Sequence, residues 1–215
     1  MRLKALTALV MGMFMASALA SQTPNPAVGP PPPAEPENIL HLDLSNGGRV
    51  SIQLRPDVAP AHVERLKTLA RKGFYNGLTF HRVIDGFMAQ GGDPKGDGTG
   101  GSELPDLKAE FNALPHMRGA FAAARADSPD SANSQFFIML APRLSLDGRY
   151  TVYGRVIAGM NHVDAISRGE PPADPTRIVQ ASIAADNRPA PAAPAVMVAP
   201  ASLPSAPVPG TATPQ

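Results

Sequence analysis

The stretch FHRVIDGFMAQGGD, residues 80–93, decides the fold of this chain. Residues 78–90, LTFHRVIDGFMAQ, alternate as two short strands around Asp85-Gly86, a pair typical of a tight turn because glycine accepts a positive φ without steric cost. The glycine-rich run GGDPKGDGTGG continues from it through residue 101, and this composition predicts a loop. The remaining elements are placed outward from this hairpin and its loop.

Two strands and a helix are predicted before the hairpin. Ile39–Leu44 and Arg49–Leu54 each alternate apolar and polar residues, and the turn sequence SNGG at residues 45–48 joins them. Asparagine and glycine adopt positive φ easily, so this segment predicts a second hairpin. Residues 59–72 carry apolar side chains at helical spacing, and Gly73 follows where a C-terminal cap is needed.

Four more short strands are predicted after the glycine-rich loop. They cover residues 119–124, 135–140, 151–157 and 178–184, and a second helix is predicted at residues 160–167 between the last two. Many short strands with only two helices favour a mainly β fold, a closed or nearly closed antiparallel barrel. Closure would leave no long exposed edge.

The distribution of proline predicts one folded domain. Of the 25 prolines, 7 lie in residues 21–37 and 8 in residues 187–215, and both segments contain almost no large apolar side chains. Such segments cannot bury enough surface to offset their ordering entropy, so a disordered linker and a disordered tail are predicted. Residues 38–186 remain, a suitable length for a single domain with one hydrophobic core.

The first twenty residues are predicted to be a secretory signal peptide. Arg2 and Lys4 precede an apolar run at residues 5–15, and the small residues Ala18 and Ala20 follow. The run is shorter than the ~20 residues that cross a bilayer, so a retained membrane helix is the weaker alternative. We therefore expect a periplasmic or secreted protein. The chain has no cysteine, which excludes disulfides and lipid attachment to a cysteine after the signal.

The charge is close to balanced. The whole chain has a formal net charge of +1, and without Arg2 and Lys4 it has 17 basic and 18 acidic side chains, a difference of −1. A nucleic-acid or membrane-surface partner would need a basic patch or helix face. We expect no nucleic-acid partner, and no membrane contact beyond the signal peptide.

Four fragments carry a resemblance to a known family. They are FHRVIDGFMAQGGD at residues 80–93, GTGG at 98–101, SQFFI at 134–138 and LDGRYTVYGRVIAGM at 146–160. In this order and spacing they resemble the cyclophilin signature, and the resemblance covers nearly all of residues 38–186. It implies an eight-stranded antiparallel closed β-barrel capped by two α-helices, with a packed interior. It also implies a monomeric peptidyl-prolyl cis/trans isomerase that needs no metal or cofactor and binds proline-containing peptides, such as unfolded exported proteins, in a surface groove.

The chemistry explains why an arginine is needed. Resonance in the peptide bond before proline gives a rotation barrier of roughly 18–20 kcal/mol, and no covalent bond has to be made or broken. A guanidinium that donates a hydrogen bond toward the prolyl nitrogen would localise its lone pair in the twisted transition state. Arg82, in FHRVI, matches the family's catalytic arginine. An isolated arginine would be interpreted as an exposed strand residue.

The resemblance assigns further residues to the site. The predicted catalytic group is Arg82, Gln90 and Phe87, in which Gln90 also binds the substrate backbone and helps to hold the arginine. The predicted substrate-binding residues are Met88, Gly98, Ala124, Arg125, Gln135, Phe137, Leu146 and Tyr150. Taken one at a time, the apolar members would be core residues, the glutamines exposed residues and the glycine a turn residue.

Two departures from the family pattern affect the pocket. Ser145 replaces a tryptophan that contacts cyclosporin in many eukaryotic relatives, so weak inhibitor binding is expected. Tyr150 replaces a histidine at the far wall of the pocket, and it offers a similar apolar edge with a hydroxyl donor. The loop at residues 127–133 is one residue longer than the eukaryotic version, which leaves the register at Ala124 and Arg125 open to a shift of one.

Other functions have weaker support in the sequence. His81 is predicted to be a buried structural histidine, and the remaining histidines lack the close spacing of metal ligands. A hydrolase is poorly supported because there is no Gly-x-Ser-x-Gly elbow. The alternative to an isomerase is a binding module that holds proline-containing segments in the same groove without turnover.

Overall fold

The computed structural model describes residues 31–191. The predicted signal peptide, residues 21–30 of the linker and residues 192–215 of the tail lie outside this range. Within it, no helix is long and apolar enough to cross a membrane. The predicted domain limits at residues 38 and 186 stay predictions.

The described chain folds into eight strands and two helices. The helices are α1 (Pro60–Arg71) and α2 (Met160–Asp164). The strands are β1 (Ile39–Leu44), β2 (Arg49–Leu54), β3 (Arg82–Ile84), β4 (Met88–Gly91), β5 (Ala120–Ala123), β6 (Phe136–Met139), β7 (Val152–Ala158) and β8 (Ile178–Ile183). Each predicted element is present, although several are shorter by one to three residues. The mainly β class is therefore confirmed.

The second helix ends three residues before its predicted end. The amide of Ala165 still donates to the carbonyl of Asn161 at 3.2 Å, whereas the amide of Ser167 donates to the hydroxyl of Thr176 at 3.1 Å. A side chain nine residues further along the chain thus takes the donor that another helical turn would have used. The local apolar spacing carries no information on this partner.

All strand pairs are antiparallel, and they run in the order β3-β4-β6-β5-β7-β2-β1-β8. The sheet curls into a half-barrel. Closure is not confirmed, because within residues 31–191 no ladder joins the end strands β3 and β8. Instead, the segments beside them meet: the amide of Phe80 donates to the carbonyl of Thr176 at 3.0 Å, and the amide of Ile178 donates to the carbonyl of Leu78 at 2.8 Å.

The interior of the curled sheet is packed with large apolar side chains, as expected. Phe121 lies at the centre, with its ring centroid 4.8 Å from the rings of both Phe136 and Tyr153. Helix α1 covers this core with Val63 and Leu66, which are buried together with Leu69 and Ala70. Burying apolar surface of this kind is the main stabilising contribution to such a fold.

A second apolar cluster lies on the opposite face of β5 and β6. Successive side chains of a strand point to opposite faces, so Phe136 and Ile138 enter the interior while Phe137 and Met139 face outward. On β5, the outward side chains are the small residues Ala120 and Ala122. The combination of small alanines and a phenylalanine leaves a depression on this outer face.

Buried histidines make the stability of the fold sensitive to acid. Burial lowers the pKa of His41, His62, His81 and His116 below the ordinary value of 6.5. For His62, burial outweighs the opposing effect of the Glu110 carboxylate, which lies 2.6 Å from Nδ1. His81 is buried, as predicted. These side chains are therefore neutral in the folded chain at neutral pH.

We predict that the free energy of unfolding decreases as the pH falls below 6.5. A base with a lower pKa in the folded state binds protons preferentially when unfolded, so stability is kept above the unfolded pKa and lost below it. Each histidine that stays neutral in the folded state but is protonated in the unfolded state lowers the free energy of unfolding by about 1.4 kcal/mol per pH unit in that window. Urea unfolding at pH values above and below 6.5 would measure this loss of stability. The His62→Gln variant is the control, and its free energy of unfolding should change less steeply with pH. Equal stability above and below pH 6.5 would contradict the prediction.

Candidate active site

The hairpin formed by β3 and β4 sets the position of Arg82. Arg82 pairs with Gln90 and Ile84 pairs with Met88 across the hairpin. Directly opposed residues of an antiparallel pair project to the same face, so Arg82 and Gln90 lie side by side. Gly86 turns the chain with a φ of 62°, a conformation that favours glycine.

A small apolar pocket lies next to this arginine. Its cavity volume is ≈ 120 Å³, and the ring of Phe137 meets that of Tyr150 edge to face at 5.8 Å. The alanines of β5 leave space for it, and Ala124 lies at its edge with 8% exposure. The lining residues are Arg82, Phe87, Met88, Gln90, Ala124, Arg125, Phe137, Leu146 and Tyr150.

A larger polar depression of ≈ 390 Å³ adjoins the pocket. It shares Gln90, Ala124 and Arg125 with the pocket, and Gly98 and Gln135 also line it. All eleven predicted site residues therefore lie in two neighbouring depressions on one face. Their individual roles stay predictions.

The glutamines hold each other and the glycine-rich loop. The Nε2 of Gln90 donates to Oε1 of Gln135 at 2.9 Å. The Nε2 of Gln135 donates to the carbonyls of Gly98 at 3.0 Å and Gly100 at 2.8 Å. Among the described residues, the Nε of Arg82 donates to Oε2 of Glu170 at 2.6 Å, and the predicted support of Arg82 by the glutamines stays a prediction.

Asp93 organises the glycine-rich loop, a role that the sequence analysis missed. Its carboxylate accepts backbone N–H donors from Lys95 at 2.8 Å, Asp97 at 3.1 Å and Gly98 at 2.6 Å. Burial raises the pKa of Asp93, but these donors outweigh it, and the net pKa is lowered. A Cβ at Gly100 would lie 2.0 Å from Asp93 Oδ1, so only glycine fits there.

The side chain of Arg125 joins two walls of the site. Its Nη1 donates to the carbonyls of Ala126 at 2.8 Å and Asp127 at 3.0 Å, and Nη2 donates to the carbonyl of Arg149 at 3.0 Å. The guanidinium carbon also lies 4.6 Å above the ring of Tyr150. The planar guanidinium thus links the loop after β5 to the side of the pocket formed by Tyr150. The family resemblance assigned this position to substrate binding, and these side-chain contacts were not predicted.

A buried histidine lies beneath the pocket. The ring of His116 stacks on Phe137 at a centroid distance of 6.0 Å. Asp147 Oδ1 accepts the backbone N–H of His116 and lies 2.8 Å from its Nδ1. Burial lowers the pKa of His116 despite this carboxylate, so a neutral ring supports the pocket. The sequence analysis considered this histidine only as a metal ligand.

Comparison with known proteins agrees with this geometry. The family model of cyclophilin type peptidyl-prolyl cis-trans isomerase/CLD matches residues 39–183. The eight-stranded antiparallel sheet with two helices is consistent with this family, although the expected closure of the barrel is not confirmed. The chain belongs to the cyclophilin-type peptidyl-prolyl cis-trans isomerase family.

Relatives and solved structures support the same assignment. A probable peptidyl-prolyl cis-trans isomerase of Brucella suis is 48% identical over 171 residues, covering 72% of this chain and 87% of the relative. Peptidyl-prolyl cis-trans isomerase B of Bacillus subtilis is 42% identical over 128 residues, covering 59% and 89%. The crystal structure of a cyclophilin from Hirschia baltica matches with a TM-score of 0.67 at 28% identity, covering 73% of this chain and 77% of that one.

A further solved structure concerns a ligand. A Cryptosporidium parvum cyclophilin type peptidyl-prolyl cis-trans isomerase, crystallised in the presence of the dipeptide Ala-Pro, matches with a TM-score of 0.63 at 28% identity. The match covers 67% of this chain and 98% of that one.

We predict that Asp93→Ala destabilises the protein by about 3 kcal/mol, because hydrogen bonds to a buried charged acceptor are each worth about 1.5–3 kcal/mol and several backbone donors lose their partner together. Asp97→Ala is the matched control, since among residues 31–191 the Asp97 carboxylate accepts hydrogen bonds within its own exposed turn, from the backbone N–H and the hydroxyl of Thr99. Urea unfolding of both variants measures the difference. Equal stability of the two variants would contradict the role given to Asp93.

Proposed function

We propose that this protein accelerates rotation about Xaa-Pro bonds in exported proteins while they fold, in the periplasm or outside the cell. The observation that carries the isomerase assignment is Arg82 beside Gln90 at the rim of an apolar pocket. The basic and apolar pattern of residues 1–20 supports export. Slow prolyl isomerisation limits the folding of many proteins, so an isomerase in that compartment would speed the folding of exported proteins.

The proposed mechanism depends on the guanidinium of Arg82. It donates toward the prolyl nitrogen as the peptide bond twists, when the lone pair leaves conjugation with the carbonyl and becomes a better acceptor. This hydrogen bond is stronger in the twisted transition state than in either planar ground state, and only such a difference speeds the reaction. Arginine stays protonated at all physiological pH values, so the rate needs no titrating group.

The two depressions bind different parts of the peptide. The apolar pocket of Phe87, Phe137 and Leu146 receives the proline ring, which is rigid and apolar. The polar depression takes the residues before proline, with Gln90 and Gln135 as backbone partners. One side of the bond is thus held while the other rotates. The similarity to a Cryptosporidium parvum isomerase crystallised in the presence of the dipeptide Ala-Pro supports a short proline-containing ligand.

The proposed partners are unfolded stretches of exported proteins that contain proline. Such a client needs only a few accessible residues around the Xaa-Pro bond, because both depressions are open to solvent on one face. We propose that the protein acts as a monomer, since the two depressions use side chains of a single chain.

We predict that Arg82→Ala slows isomerisation of a short Xaa-Pro peptide by about 100-fold or more, as found when one transition-state donor is removed. Exchange NMR measures this rate directly at equilibrium. Arg143→Ala is the matched control, because this arginine lies 5.0 Å above the ring of Phe87 but does not line the pocket. Equal losses in both variants would contradict a specific role for Arg82.

The second candidate function is a holding module. The polar depression is more than three times the volume of the pocket, which favours retention of an extended segment. Arg82→Lys separates the two functions, since an ammonium keeps the charge but lacks the planar fork. An isomerase loses most of its exchange rate with this change. A holding module keeps its ability to prevent aggregation of an unfolded client, and the parent protein would show slow exchange from the start.

We predict that Ala124→Leu weakens peptide binding by about tenfold, equivalent to about 1.4 kcal/mol, because the larger side chain enters the edge shared by both depressions. Ala113→Leu, at an exposed position, is the control. Titration of the peptide followed by NMR gives both affinities, and urea unfolding checks for overpacking. Unchanged affinity in a folded Ala124→Leu protein would show that the peptide does not cross this edge.

A further inference from the structure

The guanidinium of Arg82 has a carboxylate partner from a distant part of the chain. Its Nε donates to Oε2 of Glu170 at 2.6 Å, and the two residues are 88 positions apart. The side chains are 43% and 49% exposed, so the pair is open to solvent. Within residues 31–191, this is the hydrogen bond that the structure gives to the Arg82 side chain.

Backbone pairing brings the two side chains together. The amide of Val83 donates to the carbonyl of Gly169 at 2.8 Å, and the amide of Gly169 donates back to Val83 at 2.9 Å. This reciprocal pattern is an antiparallel bridge. In that register, the residue after Gly169 lies opposite the residue before Val83. Glu170 is therefore presented to Arg82 by the backbone.

The segment that carries Glu170 is held in place on both sides. Before it, Nε of Arg168 donates to Oδ1 of Asp85 at 3.1 Å, which ties the segment to the β3–β4 turn. Gly169 has a φ of +141°, and a Cβ there would lie 2.7 Å from the Cα of Pro172. Pro171 and Pro172 have restricted φ angles. The backbone that carries the Glu170 carboxylate is thus conformationally constrained.

We infer that Glu170 is a positioning residue for Arg82, an inference that rests on the isomerase function proposed above. By occupying Nε, the carboxylate fixes the plane of the guanidinium and leaves the two terminal nitrogens to donate toward the prolyl nitrogen. A long arginine side chain would otherwise lose its rotational freedom only when the substrate binds.

The carboxylate could also oppose catalysis by neutralising the charge of Arg82. Solvent screens this exposed pair strongly, so the Coulombic loss at the substrate is small. Orientation of the donor does not depend on such screening. The positioning effect therefore exceeds the loss of charge, and removal of Glu170 slows the reaction.

The test combines exchange NMR with direct observation of the Arg82 side chain. Glu170→Ala should slow peptide exchange about two- to fivefold, the range expected for an exposed ion pair, with peptide affinity nearly unchanged. Glu170→Gln should recover more than half of the parent rate, because the amide oxygen still accepts from Nε. Asp174→Ala is the matched control, since it removes another exposed carboxylate from the same segment and leaves the Arg168–Asp85 bond in place.

The Nε–Hε signal of Arg82 in ¹⁵N spectra gives a readout that is independent of turnover. Its hydrogen exchange with water should be slowed in the parent and in Glu170→Gln, and fast in Glu170→Ala. An unchanged signal, a parent-like rate in Glu170→Ala, or an equal loss in Asp174→Ala would overturn the inference. A parent that does not speed peptide exchange, yet keeps the protected signal, would instead refute the proposed function.

Discussion

The two-residue period of the strands is the constraint on which this structure depends. On β6, it sends Phe136 and Ile138 into the interior and Phe137 and Met139 to the outer face. This one strand therefore contributes Phe136 and Ile138 to the core and Phe137 to the pocket. A shift of one residue in this strand would exchange the two sets, so the register that stabilises the fold also forms the site.

Charged groups around the pocket are arranged so that little of it titrates near neutral pH. A neutral His116 supports Phe137 from below, while Asp93 is held ionised by backbone donors that outweigh its burial. Arg125 adds a permanent positive charge that is spread over three carbonyls and the ring of Tyr150. The walls of the site are thus held by hydrogen bonds, while burial lowers the pKa of His116 and backbone donors lower the pKa of Asp93.

The sequence predicted what depends on local patterns. Alternation and turn residues located the hairpins, and the four family fragments brought together residues of both depressions, from Arg82 to Tyr150. It missed contacts made between remote segments. The end of α2 depends on Thr176, the holding of Arg82 depends on Glu170, and the support of Phe137 depends on His116. Such partners follow from strand pairing and packing, which neither spacing nor composition encodes, and the same applies to whether the sheet closes.

The position of β3 affects which part of the protein unfolds first. This strand is three residues long, lies at one end of the strand order, and carries Arg82. Within residues 31–191, its full ladder with β4 lies on one side and the isolated Val83–Gly169 bridge on the other, so we expect it to open at a lower free energy than the central strands. We therefore expect mild denaturant or warming to separate Arg82 from the pocket before the central strands open. In the proposed mechanism, activity would then be lost before the fold.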